Sequence, residues 1–188
     1  MENFMNIKEG EVLAFSTDTV WGFGCLIEDK KAVENIYKIK NRDSRKPLIL
    51  MSDDFEVLKK YIKNIPDYAQ NLIDKYLPGG LTLIFEKSPL CPDYVTSFQS
   101  TVGIRIPDSE DFRALITKIK QRVLATTSCN ITNEPPVKNY KEAKEKFENF
   151  ATIIQPISDI EHENLPSTVI LCAQDGYKIL RQGSVKLN

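Results

Sequence analysis

The amino-acid sequence predicts an α/β fold built on a mixed sheet, and three observations support that class. Short apolar runs typical of strands alternate with segments whose apolar residues recur every three or four positions, as they do in helices. The end of the chain is richer in strand-like runs. The chain has 188 residues, of which 41% are hydrophobic, enough for one buried core, and this predicts a single domain over residues 1–188.

The chain begins with a predicted strand and a predicted loop. Residues 11–15 form a short apolar run of strand type. Residues 16–24 follow as a loop, in which Gly22 and Gly24 are predicted to let a ligand approach the backbone closely.

Five segments show the apolar spacing of amphipathic helices. They lie at residues 30–40, 55–62, 66–76, 112–119 and 140–147. Asp29 suits an N-cap for the first of them, and Ser52 is predicted to cap the second. Pro66 is predicted to lie in the first turn of the third helix, where its missing N–H costs nothing.

The other strands are predicted from apolar runs that turn residues bound. They lie at residues 48–51, 81–86, 101–106, 123–127, 152–157, 167–171 and 177–180. The glycines and proline of residues 78–80 end the third helix, and the polar stretch 87–100 is predicted to be a long loop. Ligands in sheets of this kind commonly bind at the strand ends.

Charge, cysteine usage and histidine content exclude several classes of protein. Lys plus Arg total 25 against 26 Asp plus Glu, so the net charge of −1 gives no overall attraction for nucleic acid. The four cysteines form no Cys-x-x-Cys pair and are predicted to be reduced and buried. His162 is the only histidine and lies in a polar segment predicted to be a surface loop, which excludes a histidine-cluster metal site.

No apolar run approaches the roughly 18 residues that crossing a bilayer requires. The polar start of the chain does not resemble a signal peptide. Both observations predict a cytoplasmic protein.

Two pairs of polar residues carry the strongest functional signal. Lys40 and Arg42 lie at the end of the first predicted helix, and Ser128 and Asn130 follow the apolar run 123–127. In extended backbone, residues two positions apart point to the same side, so each pair is predicted to face one site. Two cations, a hydroxyl and an amide suit an anionic ligand with a polar body, such as a nucleotide.

The segment 38–46 contains five cations and one acid, a local charge of +4. A solvated helix end is the alternative interpretation, because cations there complement the helix dipole. The predicted strand that begins at Leu48 fixes this segment near the sheet, which favours a concave site for some of the cations. Thr17 and Thr19 repeat the spacing of two. The alternative interpretation for these two residues, and also for Ser128 and Asn130, is a role in turns and caps at strand ends.

Seven short motifs, in this order along the chain, resemble those of the YrdC family of threonylcarbamoyl-AMP synthases in its short, single-domain form. They are FSTDTVWGFG at 15–24, KNR at 40–42, KPL at 46–48, PGGLT at 78–82, RIP at 105–107, TSCN at 127–130 and STV at 167–169. The resemblance runs from about residue 10 to residue 183. Trp21 is a departure, because the family usually has tyrosine there.

The resemblance implies a twisted, mostly mixed open sheet flanked by helices, with a concave basic face. It also implies a nucleotidyltransferase that condenses L-threonine, bicarbonate and ATP to threonylcarbamoyl-AMP and pyrophosphate, for the threonylcarbamoyladenosine modification of tRNA. Mg²⁺ would accompany the triphosphate, with no metal site made by the protein. The product would pass to a tRNA-modifying transferase as partner.

Carried over residue by residue, the resemblance assigns the site. Lys40 and Arg42 would be catalytic. ATP and its phosphates would be bound by Lys40, Arg42, Arg45, Ser128, Asn130 and Arg181. Threonine would be held, or the pocket closed, by Thr17, Thr19, Trp21, Arg105, Thr127, Ser167 and Thr168.

Two other functions stay open at this point. A non-catalytic RNA-binding module of the same fold could use residues 38–46 to bind phosphates without sequence preference, by direct contact with RNA. Carbamoyl-adenylate formation in hydrogenase maturation is the weaker alternative, because relatives with that role carry zinc-finger and other domains.

Overall fold

One sheet of nine strands runs through the part of the chain that the structure describes. The structure is a computed structural model, and it describes residues 4–158, 161 and 165–187. The strands are β1 (Leu13–Phe15), β2 (Gly22–Leu26), β3 (Ile49–Met51), β4 (Leu81–Glu86), β5 (Thr101–Arg105), β6 (Leu124–Ser128), β7 (Thr152–Ile153), β8 (Thr168–Ala173) and β9 (Gly176–Arg181). Their spatial order is β7-β1-β2-β6-β3-β5-β4-β8-β9. The β1–β7, β3–β5 and β4–β8 pairs are parallel and the others antiparallel, so the prediction of a mixed sheet is confirmed.

Helices lie against the sheet at five places in the described residues. They are α1 (Lys30–Lys40), α2 (Phe55–Lys59), α3 (Asp67–Tyr76), α4 (Glu110–Ile116) and α5 (Tyr140–Phe147). The Asp29 side chain accepts a hydrogen bond from the Ala32 amide at 2.9 Å, which confirms the predicted N-cap of α1. Pro66 is the N-cap residue of α3 and lies one position before the predicted first turn. None of the described helices has the length and apolar character that crossing a membrane requires.

The two faces of the sheet bury two separate cores. Val12 and Ala14 belong to the larger core, whereas Leu13 and Phe15 belong to the smaller one. This alternation follows from the two-residue period of a strand. The larger core includes residues of α1, α3 and α5, and α4 covers the smaller core.

Polar residues of three strands point to the face that carries the smaller core. Neighbouring residues of a strand point to opposite faces. Thr82 and Arg105 each lie between two residues of the larger core, and Thr126 follows one, so all three point to the opposite face. All three line a cavity on that face. The sheet thus has one fully packed face and one face that α4 covers only in part.

The predicted loop at residues 16–24 is wrong at its end, because β2 begins at Gly22. A Cβ atom at Gly24 would lie only 2.8 Å from Cε1 of Phe15, so this glycine accommodates an aromatic ring and not a ligand. Gly22 also faces the Phe15 ring, at 3.2 Å, yet it does line the cavity. Two of the five residues of β2 are glycine, which weakens the strand signal.

Four further predictions on the elements need correction. The N-cap of α2 is Asp54, which accepts from the Glu56 amide at 2.9 Å, whereas the Ser52 hydroxyl donates to the Arg122 carbonyl. The helices predicted at 55–62 and 112–119 end at Lys59 and Ile116, and the strand predicted at 152–157 is only two residues long. The prediction on His162 lies outside the described residues.

The prediction of reduced, buried cysteines is confirmed. Cys25, Cys91, Cys129 and Cys172 are all free and buried. Burial raises the pKa of the Cys91 and Cys172 thiols to about 11.

Candidate ligand-binding site

A cavity of about 350 Å³ lies across the partly covered face of the sheet. Its wall takes residues from β2, β6, β3, β5, β4, β8 and β9, which are seven adjacent strands. Three arginines line it, at positions 42, 105 and 181, and no carboxylate is among its lining residues in the described part of the chain. The volume is at the lower end of the range for small-molecule pockets, and the charge suits an anion.

Arg105 is the most deeply buried of the three arginines, with a side chain only 2% exposed. It is the last residue of β5, and its guanidinium donates to Asp18 Oδ1 at 2.5 Å, to Thr19 Oγ1 at 2.8 Å and to the Gly79 carbonyl at 3.0 Å. Burial lowers the pKa of Arg105, and the neighbouring Asp18 carboxylate opposes that effect. The ion pair and the hydrogen bonds compensate for removing the charge from water.

Arg181, the last residue of β9, approaches the cavity from the other side. Its Nε and Nη2 atoms donate to the Ser167 carbonyl at 3.1 and 2.8 Å. The Ser167 hydroxyl lies 2.8 Å from that of Thr82 on β4. Burial lowers the pKa of Arg181, and the positive charge of Arg105 lowers it further. Two cations close enough to affect each other make this end of the cavity favourable for an anion.

Arg42 lies beyond the end of α1, where the backbone reverses. Asn41 is the C-cap of α1 and has a left-handed conformation with φ of 47°. The argument that Lys40 and Arg42 share an extended segment is therefore wrong, because Lys40 is helical and Asn41 turns the chain. Arg42 lines the cavity, and its guanidinium donates to the Lys46 and Pro47 carbonyls at 3.3 and 3.1 Å.

Lys40 is buried, with 1% of its surface exposed, and is not among the residues that line the cavity. Its ammonium donates to the Ser128 carbonyl, to the Asn130 carbonyl at 2.9 Å and to Asn130 Oδ1 at 2.7 Å. Burial lowers the pKa of Lys40 to about 7, and the charge of Arg42 acts in the same direction. Direct contact of Lys40 with phosphates stays a prediction from the sequence.

Ser128 and Asn130 lie where β6 ends and line the cavity. Cys129 between them is buried, as expected for alternating side chains. The Ser128 hydroxyl donates to Asn130 Oδ1 at 2.6 Å. The pairing of β2 with β6 places Ser128 opposite Gly22, so both strand ends form the same part of the wall.

The segment before β2 forms part of the cavity wall through Thr17 and Trp21. The Thr17 hydroxyl donates to the Val20 carbonyl at 2.7 Å and lies 3.3 Å from the hydroxyl of Thr19. Trp21 is 1% exposed, and its ring centre lies 6.5 Å from that of Tyr140. The indole nitrogen of Trp21 has no hydrogen-bond partner among the described residues.

The structure brings most of the sequence-predicted site residues to one cavity. Those that line it are Arg42, Ser128, Asn130, Arg181, Thr17, Trp21, Arg105, Thr127 and Ser167. Four others do not line it, namely Lys40, Arg45, Thr19 and Thr168. Arg45 has a side chain 88% exposed that pairs with Asp43 at 2.7 Å. The Thr168 hydroxyl donates to the Val185 carbonyl at 2.6 Å and so fixes the segment after β9.

Sequence reasoning missed two residues that matter for the site. Asp18 neutralises Arg105, and its place between Thr17 and Thr19 was a signal that the spacing argument did not use. Thr82 lines the cavity from β4 and lies within the PGGLT motif. Both residues lie inside motifs already noted, but only the pairing of strands shows which side chains reach the cavity.

The fold and the cavity define an α/β protein with an arginine-lined site for an anion on one face of a mixed sheet. The model of the Sua5/YciO/YrdC family, described as "Telomere recombination", matches residues 5–183. The chain belongs to this family.

Two curated relatives and one solved structure show the extent of the similarity. The chain is 34% identical to threonylcarbamoyl-AMP synthase of Pyrococcus abyssi over 182 residues, which are 96% of the chain and 53% of the relative. It is 35% identical to threonylcarbamoyl-AMP synthase of Bacillus subtilis over 182 residues, which are 95% of the chain and 51% of the relative. The crystal structure of P. abyssi Sua5 complexed with L-threonine matches 94% of the chain and 52% of that protein, with 34% identity and a TM-score of 0.86. The chain thus spans about half the length of these relatives.

Proposed function

We propose that this chain is an L-threonylcarbamoyladenylate synthase, a nucleotidyltransferase that forms threonylcarbamoyl-AMP and pyrophosphate from L-threonine, bicarbonate and ATP. The observation that carries the proposal is the convergence of Arg42, Arg105 and Arg181 on one cavity in a member of this family. Each of the three substrates carries an anionic group, namely the carboxylate of threonine, bicarbonate itself and the triphosphate of ATP. The names of the relatives support the same activity.

The proposed reaction has two steps. The threonine amine attacks the carbon of bicarbonate, a C–N bond forms and water is lost, which gives a carbamate. A carbamate oxygen then attacks the α-phosphorus of ATP, and the bond from that phosphorus to the bridging oxygen breaks to release pyrophosphate. Such a displacement needs alignment and charge neutralisation more than a proton-transfer group. Three arginines can supply both.

We assign the roles by position in the cavity. Arg42 would neutralise the phosphates, and Ser128 would contact the nucleotide beside it. Arg181 would serve the phosphate or sugar region. Arg105 would hold the threonine carboxylate, together with the Thr17 hydroxyl. The paired Asp18 reduces the net charge at Arg105, which suits a singly charged carboxylate better than a triphosphate.

The partners and setting belong to the same proposal. No group of three or more His, Cys, Asp or Glu residues that could hold a metal ion occurs among the described residues, and Mg²⁺ would arrive bound to the triphosphate. The chain would act in the cytoplasm as a single domain. It would pass its product to a tRNA-modifying transferase.

Pyrophosphate release tests the proposal. The assay would contain ATP and bicarbonate, with or without L-threonine. Release that depends on L-threonine and bicarbonate is expected. Release without threonine would contradict the assigned specificity, and RNA binding in the absence of any release would favour the non-catalytic RNA-binding module.

The fluorescence of Trp21 is expected to report ligand binding, because it is the only tryptophan and lines the cavity. Adding L-threonine with ATP should shift the emission, and L-serine should need a higher concentration because it lacks the methyl group. One methyl group in an apolar contact corresponds to about a 10- to 200-fold preference. Unchanged emission in a sample that is turning over would place Trp21 away from the amino acid.

A further inference from the structure

We propose that Lys40 is a positioning residue that holds the cavity wall at Ser128 and Asn130, and that it does not contact the phosphates. This inference rests on the proposed function and concerns the same cavity. It assigns a task to a buried cation that is not among the residues lining the cavity.

The hydrogen bonds of the ammonium group carry the argument. A lysine ammonium has three protons, and three oxygen atoms accept from it, namely the Ser128 carbonyl, the Asn130 carbonyl and Asn130 Oδ1. These acceptors saturate the group. A phosphate oxygen could be bound by Lys40 only if one of these hydrogen bonds were given up.

The rest of Lys40 also holds the same wall. Its backbone carbonyl accepts from the Thr132 amide at 2.8 Å, and its ammonium lies 5.8 Å from the centre of the Phe23 ring. Lys40 is the last residue of α1, and Ile36 anchors that helix in the larger core. The end of α1 therefore fixes residues 128–132 at both ends.

The Asn130 side chain is fully used within this wall. Its Oδ1 accepts from Lys40 and from the Ser128 hydroxyl, and its amide group donates to the Ile131 and Glu134 carbonyls at 2.9 and 2.8 Å. An amide whose two protons and oxygen are all hydrogen-bonded holds the turn after β6 in place, and we call this group of hydrogen bonds the brace. The Ser128 hydroxyl keeps oxygen lone pairs for the ligand.

Hydrogen exchange of the ligand-free protein tests the brace without depending on the reaction. In Lys40→Met, exchange of the Asn130, Thr132 and Glu134 amides should rise about tenfold or more relative to amides of β3 and β5, because three partly buried acceptors lose their donor. The matched control is Lys30→Met, which removes a lysine with a 67% exposed side chain from the first turn of the same helix and should change nothing there. Equal exchange in both variants would overturn the proposal.

Kinetics separate positioning from direct contact. Lys40→Met should raise KM for ATP by about 10- to 100-fold and change kcat by less than about threefold, since the wall shapes binding and the ammonium does not face the departing charge. Lys40→Arg keeps the charge but cannot place three protons on the same three oxygens, so it should behave like Lys40→Met. Restoration of ATP affinity by arginine would overturn the proposal and favour direct phosphate contact.

If Lys40→Met does not fold, Asn130→Ala tests the same positioning role. This variant leaves the lysine in place and removes one of its three acceptors together with the amide brace. The same local rise in exchange is expected at Thr132 and Glu134. Exchange in Asn130→Ala equal to that of the unmodified protein would contradict the brace.

Discussion

Replacing Arg42 with alanine is expected to lower the rate of pyrophosphate release by about 30- to 1000-fold, because one charge-assisted contact to the transition state corresponds to about 2–4 kcal/mol. Arg42 lines the cavity, and its guanidinium is held by two backbone carbonyls from the following segment. The fold should survive, because neither carbonyl belongs to a strand of the sheet. The rate is measured with saturating L-threonine and bicarbonate, and circular dichroism checks the fold.

Arg45→Ala is the matched control for Arg42→Ala. Arg45 lies three residues further along the same loop, and its side chain is 88% exposed and pairs with its neighbour Asp43. Its removal should change the rate less than about twofold, since exposed ion pairs contribute little. If Arg42→Ala keeps more than half of the activity, or if Arg45→Ala loses as much as Arg42→Ala, the phosphate role proposed for Arg42 is wrong.

Replacing Arg105 with methionine is expected to lower the free energy of unfolding by about 3–5 kcal/mol, because it leaves the partly buried Asp18 carboxylate without its cation. The Asp18 side chain is 16% exposed, and Thr19 and Gly79 lose a donor as well. Denaturant unfolding measures the change as a shift of the midpoint at unchanged slope.

Two further variants show how much of the stability lost in Arg105→Met comes from charge and how much from packing. Arg113→Met breaks the ion pair with Asp108, in which the side chains are 47% and 63% exposed, and should cost less than about 1 kcal/mol. The double variant Asp18→Asn with Arg105→Met should recover part of the loss, because no unpaired charge remains. A double variant as unstable as Arg105→Met alone would show that the lost stability comes from packing and not from charge.

The sequence predicts the elements well where local signals decide them. Asp29 caps α1 as expected, since an aspartate before a helical pattern needs no distant partner. Ser52 shows the limit of the same rule. Two candidate caps lie two residues apart, and Asp54 takes the role because the helix begins at Phe55. The Ser52 hydroxyl instead accepts from the Asp54 amide and donates to the carbonyl of Arg122, which lies 70 residues away in the chain.

The site is harder to predict because distant segments decide which side chains reach it. Lys40 and Arg42 look equivalent in the sequence, yet one is buried beneath the wall and the other lines the cavity. The difference comes from the left-handed Asn41 and from carbonyls of the turn after β6, which no local pattern around Lys40 reveals. The family resemblance indicates the segments that form the site. The pairing of the strands determines the direction in which each side chain points.

The composition of the cavity wall has a consequence for a chain that is still being synthesised. Thr17 and Trp21 come from the start of the chain, whereas Ser167 and Arg181 come from near its other end. β8 must pair in parallel with β4, from which a long stretch of intervening chain separates it, before Ser167 and Arg181 take their places. A nascent chain therefore has no complete site until β9 has left the ribosome and docked, so substrates can stabilise only the finished molecule and cannot guide its earlier folding.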